Sequence, residues 1–223
     1  MDTRPNAAAY IDGLNLYKLR LSRSESLRWV NLLTLIERLF PEYKILKIHY
    51  FTAELRRTDN LSSQRLGRQK NYLRALRTLE PVLEIHLGTF RADQRQLPAL
   101  PLALNEAGDD YRRVSVLKVE EKGSDVHLAS RLIADSAKKT YQLQIVVSND
   151  SDLVSAIAIA TKEFGAKVDL VLPLKEERRG SNHLRQQTLN QIRTISDDAL
   201  RASQFDDNLT DMQGVFHKPK SWT

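Results

Sequence analysis

The sequence predicts an α/β three-layer fold, with a mostly parallel central sheet flanked by helices. Short apolar runs alternate with amphipathic helical stretches along most of the chain. The later runs, at 143–147 and 168–172, are largely continuous apolar segments, as expected of strands covered on both faces. The chain is 223 residues long, enough for one large domain with a buried core or for a domain plus a tail.

Residues 7–11 (AAAYI) are a short apolar run ending at Asp12 and read as the first strand. A helix follows over 30–40, where Leu32, Leu35, Ile36 and Leu39 share one face and Pro41 ends it. Residues 45–52 form a second strand. Residues 61–79 form a helix with Leu66, Leu73 and Leu76 on one side, ahead of Pro81. A third strand covers 82–87 and closes at Gly88. Residues 91–112 are polar, contain Pro98, Pro101 and Gly108, and read as a long excursion. Strand character resumes at 114–119. A helix at 126–137, a strand at 143–147, a helix at 153–164 ended by Gly165, and a strand at 168–172 complete the pattern. The expected division is a domain over 6–175 and a C-terminal helical extension with a polar tail over 176–223, where Trp222 is placed to dock on the domain or on a partner.

The composition excludes several classes of function. There is no cysteine, which removes disulfides, cysteine-ligated zinc and thiol nucleophiles. No apolar run approaches the ~20 residues of a membrane helix, and mean hydropathy is −0.44. The first residues lack an apolar leader segment, so a cytoplasmic protein without membrane association is expected. No G-x-S-x-G, Walker A or H-E-x-x-H motif occurs, and the five histidines (His49, His86, His127, His183, His217) show no metal-ligand spacing.

The informative residues follow the strands, because ligands of open parallel sheets bind beyond the strands' carboxyl ends. The first strand leads to Asp12-Gly13-Leu14-Asn15. The run at 114–119 leads to Glu120-Glu121-Lys122-Gly123-Ser124-Asp125, and the run at 143–147 to Ser148-Asn149-Asp150-Ser151-Asp152. Each acid alone is as well explained as a helix N-cap, but capping is a poorer account of the set. Two carboxylates ~4 Å apart repel by about 4 kcal/mol at an effective dielectric near 20. A hard divalent cation offsets that cost, and Mg²⁺ or Mn²⁺ suits oxygen donors.

Asp12-Gly13-Leu14-Asn15-Leu16-Tyr17, Glu121-Lys122-Gly123-Ser124-Asp125-Val126 and Ser148-Asn149-Asp150-Ser151-Asp152-Leu153 together resemble the three motifs of the NYN (LabA-like) family. The likeness spans about residues 6–175. It departs at Asn149, where glycine is commoner, and at Leu153, where an aromatic is common. The resemblance implies a PIN-like three-layer sandwich and metal-dependent cleavage of RNA by those acids. Asp12, Asp125, Asp150 and Asp152 would hold one or two Mg²⁺ or Mn²⁺ ions. Asn15 would hold a substrate oxygen or a water, Ser148 would position Asp150, and Lys122 would meet a phosphate. Two alternatives are a catalytically idle RNA-binding or adaptor module and a metal-dependent phosphohydrolase of small phosphoesters. A homodimer is compatible with all three.

Charge supports a polyanionic partner. Residues 1–100 carry 17 Lys and Arg against 10 Asp and Glu. Within residues 55–77, Arg56, Arg57, Arg65, Arg68, Lys70, Arg74 and Arg77 face a single acid, Asp59. On a helix, Arg65 neighbours Arg68 and Arg74 neighbours Arg77. Such a face is expected to bind RNA phosphates with strong salt dependence. Lys175, Arg178, Arg179 and Arg185 form a second, weaker basic edge.

Overall fold

A computed structural model describes residues 2–55, 63–108, 110–175, 180–187 and 189–222. The elements in chain order are β1 (Asn6–Asp12), α1 (Gly13–Leu16), α2 (Leu32–Leu39), β2 (Lys44–Ala53), α3 (Ser63–Arg77), β3 (Leu83–Pro98), β4 (Arg113–Lys122), α4 (Ser124–Ala137), β5 (Leu143–Val147), α5 (Val154–Ala158), β6 (Val168–Leu172), α6 (Asn182–Arg185), β7 (Ile192–Thr194), α7 (Asp197–Arg201), β8 (Asn208–Asp211) and β9 (Gly214–His217). Seven strands form one sheet in the order β4-β3-β2-β1-β5-β6-β7. All neighbouring strands are parallel except β3 and β4. Helices cover both faces, so the molecule is the three-layer α/β sandwich expected.

The alternation of β1 shows how the layers divide. Ala7, Ala9 and Ile11 pack with Leu32, Leu35 and Ile36 of α2 and Leu73 and Leu76 of α3. Ala8 and Tyr10 face the other way, onto Leu128 and Leu132 of α4 and Ile157 of α5. Small side chains in β1 let helices approach the central strand closely, and each fully buried Leu or Ile is worth roughly 1.5–3 kcal/mol. The first helix expected, 30–40, is α2, capped by Asn31, whose side-chain oxygen accepts from the Thr34 backbone N–H at 3.1 Å.

Three regions differ from expectation. The polar stretch 91–112 is only partly an excursion. β3 continues to Pro98 and pairs antiparallel with β4, from Thr89 opposite Lys122 to Pro98 opposite Arg113. Both sides of this ribbon are largely exposed. It therefore carries no period-2 apolar pattern, and backbone pairing rather than burial defines it.

Second, the segment after Asp12 is helical: α1 continues into a wider helical turn over Tyr17–Leu21.

Third, the C-terminal region contains more than short helices. β7 pairs with β6 as the seventh strand. Its approach is held by the buried Asp169 carboxylate, which accepts from Asn190 Nδ2 at 2.9 Å and the Gln191 N–H at 3.0 Å. β8 and β9 form a separate hairpin. Trp222 is buried against Trp29 and Tyr72, with ring centroids 6.1 Å from each. The tryptophan is thus docked on the domain itself. Among the described residues, no helix is long and apolar enough to cross a membrane.

Candidate metal centre

The strand order reverses direction at β1. From β1 the chain moves outward through β2 and β3 on one side, then returns by α4 to β5 on the other. The crevice beyond β1 and β5 is the place where such sheets bind ligands. Asp12 stands there as the last residue of β1, and Asp150 follows β5 by three residues. Asp125 arrives from across the sheet, in the first turn of α4.

The local backbone explains each placement. Asp12 caps α1, its Oδ1 accepting from the Asn15 N–H at 2.9 Å. The chain can turn there because residue 13 is glycine: a Cβ would lie 2.5 Å from the buried Tyr50 ring. Gly123 adopts a left-handed φ of 100° ahead of α4, a conformation that favours glycine. It starts α4 one residue before Asp125, so that acid is not the cap the sequence allowed. Asp150 caps the turn Ser151–Leu153, its Oδ1 accepting from the Asp152 N–H at 3.0 Å. Capping and clustering therefore coexist at Asp12 and Asp150.

Hydrogen bonds tie the strand ends together. Ser148 Oγ donates to Asp12 Oδ2 at 3.0 Å and accepts from the Asp150 N–H at 3.0 Å. Asn15 Oδ1 accepts from the Asn149 N–H at 2.9 Å. Asn149 Oδ1 in turn accepts from the Ser181 N–H at 2.7 Å. Asn15 and Ser148 thus act chiefly as braces between the two motifs.

One carboxylate oxygen from each of Asp12, Asp125 and Asp150 lies within 4.8 Å of the others. Asp12 is buried, and Asp125 and Asp150 are partly so. Burial pushes the Asp12 carboxyl up to about 6, against the bonds from Asn15 and Ser148 and with help from the charges of Asp125 and Asp150. Asp125 is also raised, first by burial and then by Asp150, Glu121 and Asp152, while Lys18 opposes the shift. Three crowded carboxylates, two of them held above their ordinary range, fit a hard dication as the missing charge.

The other expected site residues divide. Asp152 is exposed and lies outside the mutually close trio, one residue into the turn that Asp150 caps. Lys122 is exposed at the end of β4, and its Nζ lies 3.2 Å from Glu120. The basic face of α3 does not act as one surface. Arg65 and Arg68 lie in the half of α3 that starts near the C-terminal end of β2. Arg77 lies about 14 Å beyond Arg68 and about 18 Å beyond Arg65 along the helix, at the opposite edge of the sheet beside Lys47, Glu80 and Pro81. Arg74 is engaged by the C-terminal hairpin: it pairs bidentately with Asp211 at 2.6 and 2.7 Å and covers the Phe216 ring at 4.2 Å. Arg74 is thus held in an ion pair at the groove, and Arg77 lies at the far end of the helix from Arg65. The long-range hairpin and the antiparallel run of α3 were not visible in local spacing. Tyr72 is a core residue bonded to the Val30 carbonyl at 2.9 Å. Arg56, Arg57, Asp59, Arg178 and Arg179 lie outside the described residues.

A groove of about 620 Å³ runs between α3 and the C-terminal segment, lined by Gln64, Arg68, Lys70, Arg74 and Lys220. Sequence reasoning missed Lys18 and Glu121 as charges acting on Asp125, although Glu121 belongs to the quoted motif. It also missed a cluster of His49, Glu84 and His86 on the α4 face of the sheet.

No family model matches the chain. The sequence is similar to the 6-hydroxy-3-succinoylpyridine 3-monooxygenase HspA of Pseudomonas putida, with 26% identity over 201 residues, 82% of this chain and 64% of that one. The chain thus spans less than two thirds of the length of this curated relative, which is an enzyme. The fold is similar to that of a protein of unknown function from Vibrio parahaemolyticus RIMD 2210633, with a TM-score of 0.51 and 16% identity, covering 89% of this chain and 97% of the other.

Proposed function

We propose that this chain is a metal-dependent ribonuclease of the NYN, PIN-like kind. The observation that carries the reading is the convergence of Asp12, Asp125 and Asp150 within 4.8 Å at the crevice beside β1. Their donor set is all oxygen, which favours Mg²⁺ or Mn²⁺ over softer ions. A dication held there supplies Lewis-acid charge to a phosphodiester during hydrolysis.

The chain's own residues have separable roles. Asp12, Asp125 and Asp150 hold the ion. Ser148 and Asn15 fix the relative positions of the first and third motifs. The Asp152 backbone fixes the Asp150 carboxylate through its N–H. Lys18, an exposed cation whose charge is felt at Asp125, is the candidate to meet a phosphate. The groove with Arg68 and Lys70 offers a track for the RNA backbone.

The test is cleavage of labelled single- and double-stranded RNA and DNA in EDTA, Mg²⁺ or Mn²⁺, beside Asp150→Asn. Metal-dependent RNA cleavage lost in the variant supports the reading. RNA binding without cleavage points to an idle module, and turnover of small phosphoesters alone points to a phosphohydrolase.

A second reading rests on the monooxygenase name of the curated relative. Incubation with 6-hydroxy-3-succinoylpyridine, dioxygen and a reductant separates the two: a hydroxylated product with no RNA cleavage would replace the first reading.

A further inference from the structure

We propose that His49, Glu84 and His86 form a second, separate metal site, which takes a divalent transition ion of the zinc class. The register of the sheet builds it. His49 of β2 stands directly opposite Glu84 of β3, and His86 follows two residues later on the same face. His49 Nδ1 and His86 Nε2 lie 3.0 Å apart. Glu84 Oε2 is 3.7 Å from His49 Nδ1, and Glu84 Oε1 is 3.7 Å from His86 Nε2. An ion bonded to two imidazoles at about 2.0–2.1 Å separates their nitrogens by roughly 2.9–3.4 Å between octahedral and tetrahedral angles. The observed nitrogen pair meets that span, and a small movement of the exposed carboxylate completes the third contact.

The surroundings orient the ligands. His49 Nε2, the nitrogen turned away from the cluster, faces Asp135 Oδ2 at 3.7 Å. Asp135 is itself held by the Tyr10 hydroxyl at 2.8 Å. A carboxylate on the far side of a histidine favours the tautomer whose near nitrogen carries the free lone pair. The rings are braced as well: His49 stacks on Tyr10 at 5.4 Å and His86 on Phe51 at 4.7 Å. In the metal-free protein one ring N–H is shared between His49 Nδ1 and His86 Nε2, and an ion would take that proton's place.

Lys47 Nζ, 3.3 Å from Glu84, is the competing cation. Solvent-screened pairs of that kind contribute little to stability, less than a coordinate bond would. Two imidazoles and one carboxylate suit zinc, cobalt or iron(II) rather than magnesium. Three protein ligands leave a coordination position open, and the partly exposed Glu84 places it toward solvent. The two clusters would thus sort hard and borderline ions on one sheet.

The experiment uses full-length Asp150→Asn protein, in which the carboxylate trio is broken. The protein is stripped with EDTA, dialysed and titrated with Zn²⁺ by calorimetry and with Co²⁺ by visible absorption. One equivalent of Zn²⁺, a Co²⁺ d–d band and a Zn²⁺-dependent rise in Tm are expected. Adding His86→Ala should abolish all three. Adding the milder Glu84→Gln, at a partly exposed position, should weaken Zn²⁺ binding by at least the roughly 10–100-fold that loss of an outer-shell partner costs, while circular dichroism stays unchanged. No uptake in the Asp150→Asn protein, or uptake unaltered by both added substitutions, overturns the proposal.

Discussion

Two polar clusters on the same sheet are built on opposite plans. Asp12, Asp125 and Asp150 sit at the mouth of the crevice, each just beyond or at the end of a strand, on backbone that is turning into a helix. His49, Glu84 and His86 sit within β2 and β3, roughly 7 Å lower, since His49 is level with Tyr10, two residues before Asp12. The first cluster is acidic, cross-braced by hydrogen bonds and costly without a counter-charge. The second is neutral at its nitrogens, stacked on aromatic rings and stable without one. A site that needs an ion and a site that merely admits one are therefore distinguishable by how each behaves when empty.

The largest expected contrast is in catalysis. Asp150→Asn or Asp12→Asn should lower Mn²⁺-dependent RNA cleavage on the order of 100-fold or more, since losing about 3 kcal/mol of charge stabilisation already costs that much. His86→Ala should leave cleavage in Mn²⁺ unchanged. Equal losses from both would merge the clusters into one functional unit.

The next contrast is with pH. The Asp12 carboxyl is raised to about 6 in the fold, above its ordinary 3.8. The folded, metal-free protein therefore binds this proton more tightly than the unfolded chain does. This group's contribution to stability should rise by about 3 kcal/mol as pH falls from about 6 toward 4, and be lost again as pH rises through 6. Chemical denaturation of EDTA-treated protein against Asp12→Asn reads this, because the variant should lack the gain. Mn²⁺ uptake should move oppositely, failing below pH about 6 as the proton competes.

A smaller effect is steric. Gly13→Ala pushes a methyl to within 2.5 Å of the Tyr50 ring. It should cost about 1–3 kcal/mol, seen as a Tm lowered by roughly 2–4 °C per kcal/mol in a chain of this size. The smallest effect concerns RNA affinity. Arg68→Ala should reduce the salt slope of RNA binding by about one, whereas Arg77→Ala, at the far edge, should leave it unchanged in a filter-binding series.

Much of this was legible in the chain itself. The runs at 7–11, 45–52, 82–87, 143–147 and 168–172 are strands because burial writes itself into apolar content, whereas 114–119 is a strand whose apolar residues stay largely exposed. Asp12 and Asp150 were legible for a related reason: a residue at or just past the end of a buried strand in a parallel sheet emerges at the ligand-binding edge, whereas Asp125 reaches that edge from an exposed antiparallel strand by way of α4. The β3–β4 ribbon was not, since a two-sided exposed pair has no core face to leave a pattern. Nor was β7, three residues long and held by a buried aspartate that interrupts an apolar run. Arg74 illustrates the same limit. Its spacing placed it correctly on α3, but its partner, Asp211, lies 137 residues away.

By itself, the sequence determined the layer architecture, the edge at which Asp12, Asp125 and Asp150 emerge, and the absence of thiol chemistry, because these follow from local periodicity and residue type. Only the tertiary structure decided that three of the four aspartates converge, that the basic helix splits between a groove and a hairpin, and that His49, Glu84 and His86 meet. Those outcomes depend on strand register and on which helix end reaches the crevice. Both are set by packing between segments far apart in the chain, and no short window of residues encodes them.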